Sequence, residues 1–164
     1  MRIPALSLVL FLYPVLASAA EDIEKTIKDL YTASHRAMRE AKSQADIERL
    51  LSEFAPEWVG NMPAGETLTF ADLKREAESA LAIPPERRPV PKLDFVYMKQ
   101  TGWNVLVVCW NYRQSGRQTV GSLYRDTWVL TANGWRQTRQ EKFFPDRTLI
   151  EDGKPVFLPG PTAR

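Results

Sequence analysis

The sequence predicts an α+β domain in which helices come first and an antiparallel sheet follows. From Ile23 to Leu81, apolar residues recur every three or four positions, which is the period of helices that bury one face. From Leu93 to Phe144 the period changes to two, as it does in half-buried strands. The chain has 164 residues, of which 44% are hydrophobic and 26% charged. This length and composition suit a single domain with a hydrophobic core.

Residues 1–20 have the three parts of a signal peptide. A basic residue near the start is followed by an apolar run over 3–16 and by the small residues Ala-Ser-Ala-Ala. Cleavage after Ala19 or after Ala20 fits equally well. An uncleaved membrane anchor is the alternative, but Pro14 interrupts this run, which is shorter than the ~20 residues that span a bilayer. We therefore expect a secreted or periplasmic mature protein without stable membrane insertion.

Three helices are expected in the first half of the mature chain. The first carries the apolar positions of 23–38. Residues 43–46 and 69–72 have the spacing of capping boxes, with Asp in place of Glu, and predict the starts of the second and third helices. The second helix should end near Pro56, because the residue before a proline avoids helical geometry. The proline-rich segment 84–91 then forms a stiff connector.

Four antiparallel strands are expected after the connector. Gly102 allows a turn after the first strand, and Asn133-Gly134 is a strong hairpin signal between the last two. The tail over 147–164 is rich in proline and glycine and is expected to be irregular. The predicted strands cover residues 93–98, 103–112, 123–131 and 135–144.

The last hairpin supplies a candidate site. If Asn133 and Gly134 form a two-residue turn, Asp126 lies opposite Glu141 on one face of the sheet. The other pairs on that face are Trp128 with Arg139, Tyr124 with Phe143, and Leu130 with Gln137. Aromatic rings combined with carboxylates and a guanidinium suit a ligand pocket. The alternative is a salt-bridge network that only orders the sheet.

Several functions are not indicated by the sequence. The formal net charge is +2, and no basic cluster is longer than Arg87-Arg88, so nucleic-acid binding is not expected. With one cysteine and one histidine, disulfides and zinc sites are excluded, and no metal or cofactor is expected. Cys109 lies in an apolar strand and is expected to be a buried, inert thiol. His35 follows Ser34 on a helix, where neighbouring side chains diverge, so a triad is not expected.

The order of these elements resembles the nuclear transport factor two-like (NTF2-like) superfamily, which includes the SnoaL-like cyclases, ketosteroid isomerase and scytalone dehydratase. The resemblance covers Asp22 to Asp146 and rests on the motif Phe-Ala-Pro-Glu-Trp-Val at 54–59, on Gly65 with Thr69, and on Asn-Gly-Trp at 133–135. It implies a cone, in which a strongly bent antiparallel sheet wraps helices around a pocket. It also implies a homodimer formed through the outer side of the sheet.

Ketosteroid isomerase gives the sharpest comparison. The resemblance matches Tyr31 to its oxyanion-hole tyrosine and Asp126 to its protonated aspartate. The position of its catalytic base holds Met62, which cannot accept a proton. Glu141 is the remaining base candidate and would need an apolar neighbourhood.

These residues favour a module that binds a small apolar molecule with a polar end. Tyr31 and Asp126 would donate hydrogen bonds. The charge partners would be Glu141 and Arg139, and the walls would be Trp128 and Tyr124. The alternatives are a cofactor-independent isomerase, lyase or cyclase that uses Asp126 and Glu141 as acid and base, and a protein-interaction domain.

Overall fold

The computed structural model describes residues 12–89, 91–115, 117–151 and 154–155, with side chains over 22–89, 91–114 and 117–151. In this part of the chain the predicted α+β class is confirmed, but two strands, over 54–61 and 67–69, come between the second and third helices instead of after all the helices. The helices are α1 (Leu12–Glu40), α2 (Gln44–Leu51) and α3 (Phe70–Ser79), with short 3-10 turns at Ala80–Ala82 and Pro85–Arg87. The strands are β1 (Phe54–Asn61), β2 (Thr67–Thr69), β3 (Lys92–Thr101), β4 (Asn104–Ser115), β5 (Gln118–Thr131), β6 (Gly134–Lys142), β7 (Arg147–Glu151) and β8 (Lys154–Pro155).

The chain divides into two units, 1–33 and 34–164. The described part of the first unit is helical, and its exposed side carries ion pairs one helical turn apart, such as Lys25 with Asp29 at 2.6 Å. Of the predicted signal peptide, residues 1–11 lie outside the described residues, and the remainder forms the start of α1. Among the described helices, none is both long enough and apolar enough to cross a membrane.

Both predicted capping boxes are confirmed. At α2, the backbone N–H of Ser43 donates to Asp46 Oδ2 at 3.1 Å, and the N–H of Asp46 donates back to Ser43 Oγ at 3.3 Å. At α3, Thr69 and Asp72 make the same two bonds at 2.7 and 3.3 Å. Hydrogen bonds from the backbone of Lys42 and the side chain of Ser43 hold the pKa of Asp46 below its usual value.

A buried arginine closes the end of α1. Arg88, in the predicted connector, is 6% exposed. Its Nη1 donates to the carbonyl oxygens of Met38 and Arg39, each at 3.1 Å, and of Ala41 at 2.6 Å. Its Nε donates to the carbonyl of Ile83 at 2.9 Å. The last carbonyls of a helix have no partner within the helix, so a guanidinium is well suited to this position.

The predicted end of the second helix is wrong. The helix stops at Leu51, and Phe54 begins β1 rather than continuing the helix towards Pro56. Phe54 nevertheless packs against a cluster that includes Ile47 and Ala77, which explains why its spacing fits a helical face. The segment is a strand because it pairs with β2 and β6, which are distant in sequence.

The sheet is mixed rather than wholly antiparallel. Its strand order is β2-β1-β6-β5-β4-β3, and the pairing of β1 with β6 is parallel while the others are antiparallel. The predicted irregular tail is also corrected, because Arg147–Glu151 pairs with residues 118–121 of β5. Irregularities in β1, β3 and the β5–β6 ladder interrupt the register, and such bulges increase local bend and twist, in keeping with the strong curvature of the sheet.

Candidate functional site

The two faces of the curved sheet differ in composition. We call the face that carries Asp126 and Trp128 the inner face, and the opposite face the outer face. Directly paired residues point to the same side of a sheet, so the register assigns side chains to each face. On β4, the inner face carries Val105, Val107 and Cys109, which are at most 2% exposed. The inner face is therefore largely apolar and buried.

The predicted register of the β5–β6 hairpin is wrong. Thr131 pairs with Gly134, so the turn consists of Ala132 and Asn133. Gly134 has a φ of 93°, a left-handed conformation that glycine adopts at low cost. The register then shifts again between Thr127 and Trp128. As a result, the observed inner-face pairs are Asp126 with Gln140, Trp128 with Gln137, Tyr124 with Lys142, and Leu130 with Trp135.

This shift separates the predicted acid–base pair. Glu141 pairs with Arg125 on the outer face, where the Nε of Arg125 donates to Glu141 Oε2 at 2.9 Å. Arg139 pairs with Thr127, also on the outer face, and is exposed. Because neighbouring residues of a strand point to opposite sides, Asp126 does not face Glu141 or Arg139. Neither residue belongs to the inner-face site.

Asp126 occupies the middle of the inner face and is 1% exposed. Across the sheet it is flanked by Val107 on β4 and Gln140 on β6. Along its own strand, the next inner-face residues are Tyr124 and Trp128. A carboxyl group is thus buried among an aliphatic side chain, two aromatic rings and an amide.

Two further polar residues, which the sequence analysis did not select as site residues, lie on the same face. Gln137 and Trp58 are each 3% exposed. Among the described residues, the Nε2 of Gln137 and the Nε1 of Trp58 have no hydrogen-bond partner. Gln137 pairs with Trp128 on one side and with Phe54 on the other, and the ring of Phe54 meets that of Trp58 edge-on at 6.1 Å between centroids. Alternation along β6 had already placed Gln137 on the predicted face, although opposite Leu130 instead of Trp128.

The indole of Trp58 lies against a glycine. Gly60 on β1 pairs with Gln140 on β6, and Gln140 pairs with Asp126 on β5. Gly60, Gln140 and Asp126 therefore form one row across the inner face. A Cβ atom at Gly60 would come within 2.6 Å of the Cη2 of Trp58. The absence of a side chain at this position therefore makes room for the indole beside the row of Asp126.

At the polar end of the inner face, Asp146 contacts polar side chains from three strands. Its carboxylate accepts hydrogen bonds from Ser122 on β5 and Arg113 on β4, and the Nζ of Lys142 lies 2.5 Å from its Oδ1. Burial alone would raise the pKa of Asp146, but hydrogen bonds from Lys142, Ser122 and Arg113 outweigh it and lower the pKa to about 2. Lys142 also lies 5.8 Å from the ring centroid of Tyr124.

A second carboxyl group lies at the junction of α2 and β1. The hydroxyl of Ser34 donates to Glu53, whose carbonyl accepts the N–H of Gln137 at 2.9 Å. Burial raises the pKa of Glu53, while the hydrogen bond from Ser34 and the charge of Arg136 act in the opposite direction. Desolvation lowers the pKa of the half-buried His35. Ser34 thus bonds to Glu53 rather than to His35.

The remaining sequence candidates are placed as follows. Tyr31 belongs to the first unit and is 7% exposed, whereas the inner-face residues belong to the second. Met62 lies in the turn after β1, where its N–H donates to the carbonyl of Glu66 at 2.8 Å. Cys109 is a buried thiol, as expected. Over residues 22–151 where side chains are described, no group of three histidine, cysteine or acidic residues could hold a metal ion.

These features define a class of α+β domain, in which helices pack against one face of a bent, mixed sheet and polar residues are buried on that face. Comparison with solved structures identifies the fold within this class. The chain is similar to an NTF2-like protein with a cystatin-like fold from Novosphingobium aromaticivorans, with a TM-score of 0.59 at 18% identity over 84% of this chain and 90% of that one. A candidate scytalone dehydratase from the same organism gives a TM-score of 0.61 at 14% identity over 90% and 98% of the two chains.

A third similar structure is an NTF2-like protein from Pseudomonas aeruginosa, with a TM-score of 0.58 at 13% identity over 74% of this chain and 97% of that one. No protein-family model matches the sequence, and no curated protein matches it. The chain has the NTF2-like fold, as the sequence resemblance predicted.

Proposed function

We propose that this protein binds a small, largely apolar molecule with a polar end on the inner face of its sheet. The observation that carries the proposal is that the side-chain nitrogens of Gln137 and Trp58 are buried on this face and have no hydrogen-bond partner among the described residues. Burying a polar group without compensation costs about 1–3 kcal/mol. A face that only packed against helices would be more stable with apolar residues there, so a ligand accounts for the polar groups.

Native mass spectrometry of the mature protein, purified from exported material, tests this proposal. We expect an extra mass that disappears on denaturation. Asp126→Asn keeps the size of the side chain but replaces its carboxyl group with an amide, and it should reduce ligand retention at least tenfold. Glu141→Gln makes the same chemical change on the outer face and should retain the ligand. Full retention by the Asp126 variant contradicts the assignment of the site.

A cofactor-independent isomerase, lyase or cyclase is the second candidate. A carboxyl group buried among apolar side chains, as Asp126 is, has the environment in which a general acid or base can be tuned. One structurally similar protein is a candidate scytalone dehydratase, which supports a search among dehydration reactions. Glu141 cannot be the partner of Asp126, because it points to the outer face.

Measurement of turnover distinguishes the enzyme hypothesis from the binding hypothesis. Hydroxylated aromatic ketones can be screened for loss of water by their change in ultraviolet absorbance. The hypothesis expects Asp126→Asn to lose at least 99% of the rate while Glu141→Gln keeps it. Equal rates in the two variants would exclude Asp126 as the acid or base, and the absence of turnover with any ligand found by mass spectrometry would favour the binding protein.

The chain is further proposed to form a homodimer through its outer face. Tyr97 is 47% exposed and Phe143 is 43% exposed, and the register and the 5.6 Å contact of Arg125 with the Phe143 ring place both on this face. Such exposed aromatic residues are enriched at interfaces. A protein-interaction domain, the remaining alternative, would use this surface for another protein and would be insensitive to inner-face substitutions.

Export is proposed from the composition of residues 1–20. Their removal would leave α1 to begin at Ala20 or Glu21, in a secreted or periplasmic protein. Intact-mass measurement of the protein recovered from the culture medium or periplasm tests this, because each cleavage position gives a distinct mass. Recovery of the full-length chain in the cytoplasm alone contradicts it.

A further inference from the structure

We infer that the ligand of the inner face is a neutral molecule whose polar end is a hydrogen-bond acceptor, such as a carbonyl oxygen, and that Trp58 and Gln137 hold it. The inference rests on the proposed binding function and adds the chemical class of the ligand. It begins from the two buried donors rather than from the carboxyl group of Asp126.

The two nitrogen atoms can only donate. An indole N–H has no acceptor capacity, and the amide nitrogen of a glutamine carries two N–H donors. Both residues are 97% buried, and within the described residues neither nitrogen has a partner. Buried donors are nearly always paired in folded proteins, so the missing groups are acceptors.

The two donors belong to neighbouring strands and are linked through Phe54. Gln137 on β6 is the direct neighbour of Phe54 on β1, and the ring of Phe54 meets that of Trp58. On its other side, Gln137 is the neighbour of Trp128, which is the next inner-face residue after Asp126 on β5. Adjacent strands are about 4.8 Å apart, so these three strands span about 10 Å. This width matches a bicyclic molecule.

The charges argue against an anionic ligand. A carboxylate bound to the two donors would place a second carboxyl group near the buried one of Asp126, and two neighbouring carboxyl groups disfavour each other's ionised form. Arg125, Arg136 and Arg139, the basic residues flanking this part of β5 and β6, belong to the outer face by the register. Lys142, which is on the inner face, lies one row away and is paired with Asp146 at 2.5 Å. A neutral acceptor therefore fits better than an acid.

Three compounds that share one bicyclic skeleton test the inference. They are 1-tetralone, which has a carbonyl, tetralin, which lacks it, and 1,2,3,4-tetrahydronaphthalene-1-carboxylate, which is anionic. Binding to the mature protein is measured by calorimetry or tryptophan fluorescence. We expect 1-tetralone to bind about tenfold more tightly than tetralin, and the carboxylate to bind more weakly than the ketone.

Variants identify the donors. Trp58→Phe removes the indole N–H, and Gln137→Leu removes the amide. Each should lower the preference for 1-tetralone over tetralin about three- to tenfold, because the apolar contact is kept. The matched controls, Trp103→Phe at a 71% exposed tryptophan and Gln100→Leu on the exposed edge of β3, should leave the preference unchanged. Gln137→Met serves if the leucine variant fails to fold.

The outcomes separate the inference from the proposed function. Equal affinity for 1-tetralone and tetralin, a preference unchanged in both donor variants, or tighter binding of the carboxylate overturns the inference but keeps a binding site. The same holds if the retained ligand identified by mass spectrometry lacks an acceptor atom. If none of the compounds binds and no ligand is retained, the proposed function itself fails.

Discussion

Gly60 controls the position of the Trp58 indole at the candidate site. A Cβ atom at residue 60 would lie 2.6 Å from the Cη2 of Trp58 and 3.3 Å from the Cβ of Leu68. Gly60→Ala should therefore destabilise the protein by about 1–3 kcal/mol, since the buried ring has to move. Urea unfolding measures the change, and the variant should also bind 1-tetralone more weakly.

Trp58→Phe provides the control for this prediction, because phenylalanine lacks the atom that the new methyl group would meet. We expect Gly60→Ala to cost less in the Trp58→Phe background than in the wild type, which is the coupling that a double-mutant cycle detects. Strictly additive effects would show that the two residues do not compete for space.

Single residues also show how far the sequence predicted the site. Alternation along one strand correctly placed Tyr124, Asp126 and Trp128 on one face, because that rule depends only on the strand itself. The partners across the hairpin were wrong, because a different turn and a bulge moved Glu141 and Arg139 to the other face. Bulges depend on packing between strands, which one strand's sequence does not specify.

At the level of elements, Arg88 ties the proline-rich connector to the end of α1. Its guanidinium donates to the carbonyl oxygens of Met38, Arg39 and Ala41. Arg88→Met keeps an apolar stem but leaves these buried acceptors unpaired. We expect a loss of about 2–4 kcal/mol in the free energy of unfolding, measured by urea titration.

The neighbouring arginine is the matched control for this prediction. Arg87 is exposed, so Arg87→Met should change the free energy of unfolding by less than about 0.5 kcal/mol. If the two variants were equally stable, the capping role of Arg88 would be excluded.

Asp146 connects β4, β5 and β6 through Arg113, Ser122 and Lys142, and its effect depends on pH. The pKa of Asp146 falls from 3.8 to about 2 on folding. A carboxyl group with a depressed pKa contributes stability above its unfolded pKa, and this contribution is lost as the pH falls from about 4 to about 2. Its side chain is 29% exposed, so solvent screening limits the contribution to about 1–2 kcal/mol.

The comparison of Asp146→Asn with the wild type isolates this contribution from other titrating groups. We expect the variant to be about 1–2 kcal/mol less stable at pH 7, with the difference shrinking towards zero near pH 2. Urea unfolding at pH 7, 4 and 2 measures it, with Asp94→Asn at an exposed position of β3 as the control. A difference that stays constant over this range would contradict the role of the carboxylate.

Local signals predicted the elements better than long-range ones did. The starts of α2 and α3 follow from capping boxes of four residues, and the β3–β4 turn follows from Gly102, which has a φ of 58°. By contrast, β1 and β7 exist because they pair with β6 and β5, which are distant along the chain. The helical spacing of Phe54 reflects the core that it joins rather than the element that contains it.

Over the whole sheet, the outer face is divided between a covered end and an open part. Leu149, on β7, packs with Trp110 and Leu123 at one end, and it lies so close to Gly121 that a Cβ atom there would come within 2.5 Å of its Cδ1. Beyond this end, the outer face carries the exposed Tyr97. The segment after β6 therefore leaves only the open part available for a second copy of the chain.

The proposed dimer leads to the last prediction. In a dimer with twofold symmetry each interface residue occurs twice, so one substitution changes two sets of contacts. Tyr97→Lys would bring two additional positive charges close to Arg125 and its symmetry mate, and it should weaken dimerisation at least tenfold. Sedimentation at about 100 μM protein should show a wild-type dimer and a largely monomeric variant. Trp103→Lys places the same charge at an exposed hairpin turn and should remain dimeric, whereas a monomeric wild type would contradict the proposed interface.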